Sequence, residues 1–377
     1  MMRFYKGFLF FTLFSVLFFF ISCKQSDSSS SSDDEEIVNE PDNTREVPKL
    51  SKEKVETLFE MVAIVKEGGG VTITGSDNNW SGFYPEVKTK KYDDPKKYVD
   101  PKKGVFISGR NVSLSPYAIG KYEVTQNLYG GVMGKNPSYC RENERYQLLD
   151  GEGEEKDRPV ENVSWYNAVA FCNELTKLLL REEECVYYSD EEYHTVYASG
   201  DKVFYDPEKK GYRLPTEAEW EFAARGGNVE DEAFKYAYVG GNTETHLDSC
   251  GWYKGNLSGS LSSSLVEAET KGYGTHVVGK KKRNSLGIFD MNGNVREWCY
   301  DIYNNNPCSD DKSYIEDAGE NTDSIIVNPR GAATGSQRVC RGGSWMREDF
   351  VCSVAYRASY EPSKAISSIG FRLARSL

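Results

Sequence analysis

The residues of this chain that could do chemistry are few, and their spacing excludes more reactions than it suggests. The three histidines, His194, His246 and His276, lie far apart without an H-x-x-x-H pair, so each reads as a surface or loop residue. No serine stands on a nucleophile elbow of the hydrolase kind. Gly68, Gly69 and Gly70 precede neither Gly-Lys-Ser/Thr nor a helix, and read as a hairpin turn rather than a phosphate loop. Of nine cysteines none forms a C-x-x-C pair, which argues against zinc ribbons and thioredoxin chemistry. One hard-ligand stretch survives, Asp290-Met-Asn-Gly293-Asn-Val295-Arg-Glu297. Two carboxylates and irregular-backbone oxygens within eight residues suit a cation such as Ca2+. The competing reading has Asp290 and Asn292 capping turns while Glu297 pairs with a nearby arginine.

The second concentration of mixed chemistry is the C-terminal stretch. Arg341-Gly-Gly-Ser-Trp345 and Ile369-Gly-Phe-Arg-Leu373 read as strands of one sheet. The residues between them follow neither helical nor strand periodicity. Met346, Arg347, Glu348, Phe350, Val351, Ser353, Tyr356, Ser359 and Tyr360 mix every chemical type. This is the pattern of an exposed recognition surface on a rigid frame. Tyrosine supplies rigid amphipathic contact area and serine adaptable hydrogen bonding, so the expected partner is a protein or glycan. The alternative is that Phe350, Val351 and Tyr356 are core.

The elements that must hold these residues are short. A helix is predicted near Gln126–Met133. A longer one opens at Ser164, an N-cap, with Ala168, Phe171, Leu175 and Leu178 recurring through Leu180. Thr216 and Glu219 form a capping box for a third, which Gly226 ends. Residues 77–103 and 304–336 read as insertions, and 228–285 as loop-rich. The pattern implies one α+β domain over 55–377, rich in Tyr (25), Gly (34) and Trp (6). A net charge of −12 without a basic patch excludes nucleic acid as a partner.

The N-terminus reads as an export signal. Arg3 and Lys6 precede the apolar run Phe8–Ile21, too short for a membrane span, and the run ends at Cys23. Residues 1–22 are expected to be a signal peptide. Residues 23–54 would be an acylated Cys23 and an acidic, serine-rich tether that cannot bury a core. The expected location is the bacterial envelope, at the outer membrane surface, with membrane contact through the lipid anchor only. Without Cys23 eight cysteines remain, an even number that permits disulfides in an exported chain.

Tyr117–Thr125, Arg158–Trp165, Gly211–Gly227, Leu286–Trp298 and the two C-terminal motifs together resemble the formylglycine-generating enzyme (sulfatase-modifying factor) family, in the family's order. The resemblance implies an elaborated C-type-lectin-like fold with little regular secondary structure. It also implies calcium held by the Asp290 and Glu297 carboxylates and the Gly293 and Val295 carbonyls. The family's oxidase binds copper(I) through two cysteines five residues apart. Here Arg347 stands at the first position and Cys352 at the second, with Ser344 matching the active-site serine. One thiolate beside a permanent cation is a poor copper(I) site, so copper and catalysis are not expected, and Ser344 and Cys352 are vestigial. Iron-dependent sulfoxide synthases of this fold need a histidine cluster that is missing. The ending is also similar to the variable region of retroelement-diversified treponemal lipoproteins. The leading expectation is therefore a lipid-anchored surface binding protein. The alternatives are a formylglycine-generating copper oxidase and a structural envelope lipoprotein.

Overall fold

The computed structural model describes residues 44–75, 104–107, 110–141, 146–257, 272–304 and 325–377. The signal peptide, Cys23, Cys308 and the 77–103 insertion lie outside the described residues. Five α-helices fall within them: α1 (Lys52–Glu56), α2 (Gln126–Met133), α3 (Trp165–Leu179), α4 (Glu217–Ala224) and α5 (Glu244–Cys250). Both expected caps form. Ser164 Oγ accepts from the Asn167 amide, and Thr216 Oγ1 accepts from the Glu219 amide while the Glu219 carboxylate accepts from Thr216 N. Each satisfies amides the first turn leaves open and contributes about 1 kcal/mol. Helix α5 lies in the stretch read as loop. Only Leu247 and Cys250 of its seven residues are buried, so its apolar period is too thin to see.

The two C-terminal motifs meet one sheet only at Arg341 and Ile369–Gly370, the rest of each being non-strand; its four strands run in the order Ala358–Tyr360, Arg338–Arg341, Arg296–Ile302 and Ile369–Gly370. A second four-stranded sheet joins Met61–Val65, Tyr117–Gly120, Ala374–Ser376 and Tyr212–Arg213. The glycine triplet is not a hairpin turn. Val71–Thr74 pairs with Asn111–Leu114 while Met61–Val65 pairs with Tyr117–Gly120, so Gly68–Gly70 carries the chain between sheets. The fold also takes in residues before 55, because Arg45–Glu46 pairs with Lys135–Asn136 and α1 follows. The class is α+β with little regular secondary structure.

Aromatic packing fills the core. Phe171 of α3 stacks on Tyr129 of α2 at 5.2 Å and meets Phe371 edge-on at 5.4 Å. Trp165 and Trp298 bury their indoles and donate to the carbonyls of Cys299 and Val163, each at 2.9 Å. Helix α4 is buried on every side, and its carboxylates are matched by arginines, two from its own flanks (Arg213, Arg225) and two from distant chain (Arg341, Arg357). Arg213 grips Glu219, Arg357 grips Glu217, and Arg341 and Arg225 share Glu221. The cysteines at 140, 172, 185, 250, 299, 340 and 352 are buried and unbridged, so the permitted disulfides do not form among the described residues.

Candidate functional site

The C-terminal segment is more ordered than its lack of period suggests. Residues Asp349–Cys352 form a 3-10 helix. Ser359 and Tyr360 lie in a strand opposite Val339 and Arg338. A three-residue period followed by a three-residue strand leaves no run long enough to register in sequence. Val351 and Ser353 are buried, at 6% and 8% exposure, and are corrected here from display surface to core. Val351 is buried with Cys352, Ser353 and Val354 as one continuous inward stretch, the chain leaving the 3-10 turn in extended backbone at Ser353.

The remaining candidates, Met346, Arg347, Glu348, Phe350, Tyr356, Ser359 and Tyr360, are half-buried. Phe350 packs edge-on against Tyr356 at 6.2 Å, and Glu348 pairs with Lys254 at 2.6 Å. Ser359 Oγ donates to Gln337 at 2.7 Å, and the Tyr360 hydroxyl accepts from Arg296, so these two are spent on the sheet. Glu361, Ser363, Lys364 and Ala365 are the exposed residues of the segment.

At the base of this segment sit Ser344 and Cys352. Gly343 has φ +72, and a Cβ there would stand 2.5 Å from the Cys352 sulfur, so only glycine lets the two chains meet. Cys352 is fully buried, its thiol points at the Ser344 carbonyl at 3.8 Å, and burial pushes its pKa up to about 12. Ser344 Oγ is buried with no hydrogen-bonding partner among the described residues. Another thiol does approach. Cys250 shares a buried cluster with Cys352 and donates to Asn292 Oδ1 at 3.4 Å, while Asn292 Nδ2 donates to the Cys352 carbonyl at 2.7 Å. Burial pushes Cys250 up to about 12 as well, so both sulfurs hold their protons.

The hard-ligand stretch is held by left-handed backbone at Asp290, Gly293 and Asn294. Asp290 Oδ2 accepts from the Gly279 amide at 2.7 Å, and Oδ1 is buried with no partner among the described residues. Glu297 takes the pairing alternative. Its oxygens accept from Arg372 at 2.6 and 2.7 Å and from the Trp220 indole at 2.7 Å. Gly293 and Val295 lie between them, with the Val295 amide donating to Glu123. Glu123 was not singled out for chemistry, although it sits inside the quoted Tyr117–Thr125 motif. Burial, then the Asp290 charge, then that of Glu297, hold the Glu123 carboxyl well above the carboxylate range. Burial pushes Asp290 up to about 6. Three buried carboxyl groups thus surround one guanidinium; burial and their mutual repulsion keep Glu123 protonated, and a cation would relieve that repulsion.

Of the histidines, His276 is not a surface residue. It is buried, pairs through Nδ1 with Glu152 at 2.9 Å and stacks on Trp252 at 3.7 Å. Asp190, Glu192 and His194 come together on a turn, where Asp190 already accepts from two backbone amides.

A lectin-like α+β frame with an arginine-locked C-terminal segment defines a class, and the chain belongs to it: the sulfatase-modifying factor enzyme 1-like domain family matches residues 47–377. It is similar to the chaperone protein LppX of Paenibacillus barcinonensis, 32% identical over 71% of this chain and 83% of that protein. The formylglycine-generating enzyme of Streptomyces coelicolor is 34% identical over 44% of this chain, and the match spans about half (46%) of that enzyme. Among solved structures it resembles Treponema denticola variable protein 1, at 32% identity and a TM-score of 0.58, covering 85% of this chain and 95% of that one.

Proposed function

We propose that the chain is a non-catalytic, lipid-anchored binding protein of the cell envelope, exported and held at the outer membrane surface through Cys23. One observation carries the non-catalytic reading: Arg347 stands where a second thiolate is needed, and Cys352 is a buried, protonated thiol turned toward a carbonyl. The likeness to a treponemal variable protein across most of both chains supports a display role for the rim of Met346, Arg347, Glu348, Phe350 and Tyr356. The ligand is a protein or glycan met at the cell surface. Calcium is a structural ion in this reading. Asp290 Oδ1 offers it an open acceptor and the Gly293 and Val295 carbonyls the backbone oxygens the resemblance implies, while Glu297, the fourth residue of that set, is paired with Arg372.

The test exchanges Met346, Arg347, Glu348, Phe350 and Tyr356 together for other polar or aromatic residues, keeping Val351 and Ser353. The melting temperature should stay within a few degrees while binding to cell-surface ligands found by array screening is lost. Unaltered binding by the exchanged protein rules the rim out. For the anchor, Cys23→Ala should move the protein from the detergent phase to the aqueous phase; continued detergent partitioning removes the lipoprotein reading.

A further inference from the structure

Away from the C-terminal rim, a cavity of about 650 Å3 opens between the end of α4, the 233–240 loop and the 282–287 turn. That volume suits a mono- or disaccharide-sized ligand. Its lining includes Arg225, Tyr236, Tyr238, Lys282, Arg283 and Ser285, and no carboxylate.

The cations are placed for a ligand rather than for the fold. Lys282 and Arg283 are exposed, and neither forms an ion pair among the described residues. The Lys282 ammonium lies 3.4 Å from where a Cβ on Gly240 would stand, so it folds over a bare stretch of the cavity wall. Behind them Arg225 is buried and donates to Glu221 and to the Phe234 carbonyl, both at 2.9 Å. Among the described residues the ion pairs of Arg225, Arg341 and Arg357 are with Glu217 and Glu221, three cations to two carboxylates, and burial pushes the nearby Asp301 carboxyl up to about 8. Burial lowers Arg225 itself to about 10, against the opposing pull of Glu221. At the C-terminal end of α4, Asn284 Nδ2 donates to the Ala223 and Ala224 carbonyls at 2.8 and 3.4 Å.

We propose that this cavity binds a small saccharide-sized ligand carrying a sulfate or phosphate ester. The oxyanion sits between Lys282 and Arg283 with Arg225 behind it, and Tyr236 and Tyr238 face the ring.

The experiment is calorimetric titration of the intact protein with glucose 6-sulfate, glucose 6-phosphate and glucose at low ionic strength. At least one ester should bind and glucose should not, and the stronger ester identifies the source of the oxyanion. Lys282→Glu/Arg283→Glu should weaken that binding at least tenfold. Both side chains are exposed, so the variant's melting temperature should match the parent's. The parent's own salt dependence gives a second measure, since raising NaCl from about 20 to about 500 mM should weaken binding at a charged, open site. The rim-exchanged protein should bind the ester like the parent, which separates this site from the display surface. Equal binding of glucose, no binding of either ester, affinity indifferent to salt and to charge reversal, or loss of binding on exchanging the rim would each overturn the proposal.

Discussion

Replacing Arg372 by methionine tests whether the C-terminal motif is frame. Arg372 is fully buried, and its guanidinium donates twice to Glu297 and once to the Gly120 carbonyl at 3.0 Å. Methionine fills much of the volume but leaves Glu297 facing Glu123 and Asp290 with no buried cation among them. Removing one partner of a buried ion pair costs about 3–5 kcal/mol, because the remaining charge is neither solvated nor matched. Domain stabilities run to about 5–15 kcal/mol, so this is a large fraction of the total. In a domain of this size each kcal/mol moves the melting temperature by about 2 °C, which predicts a fall of roughly 6–10 °C. Scanning calorimetry and urea titration would measure it. The double variant Glu297→Gln/Arg372→Met should recover more than half of the loss, since the penalty lies in the orphaned charge and not in the missing contact. An Arg372→Met protein within about 1 kcal/mol of the parent, or a double variant less stable than the single, would refute this reasoning.

Chelation should lower the melting temperature of calcium-loaded protein, since an ion bound only by the folded state stabilises it by mass action; an identical curve after complete ion removal would eliminate the Asp290 site. Glu161 gives a pH prediction with a definite sign. Burial raises its carboxyl from 4.5 to about 8, so between those values the folded chain keeps a proton that the unfolded chain releases. Its contribution is therefore fully present below pH 4.5 and is lost as pH rises through about 8. Glu161→Gln should be about 1–3 kcal/mol more stable than the parent at pH 8 and equal to it at pH 4, and parallel stability–pH profiles would contradict the assignment.

Much of the frame was legible because its signals are local. A capping serine or threonine with its partner three residues on marks α3 and α4 without tertiary context. The α+β class followed from short strands and dense motifs. What stayed hidden was set by pairing at long range. The glycine triplet reads as a hairpin from its own neighbourhood, and only the partners chosen by Met61–Val65 and Val71–Thr74 show otherwise. Glu123 joins Asp290 across more than 160 residues of chain, so no spacing rule could have paired them. Val351 looked like display because a single 3-10 turn is too short to show its period.

The placement of the arginines explains how such a segment can tolerate change. Arg341, Arg357 and Arg372 lie before, within and after it, and each is buried against a carboxylate from α4 or from the Arg296–Ile302 strand. These contacts fix the backbone at three points through groups whose loss is costly. The side chains of Met346, Glu348 and Phe350 between the first two points contribute contacts at the half-exposed rim, where substitutions usually cost within about 0.5 kcal/mol. In the proposed reading, stability and recognition thereby fall to different residues of one short stretch. The same division places Cys352: as a buried thiol packed against Gly343 it belongs with the fixed points.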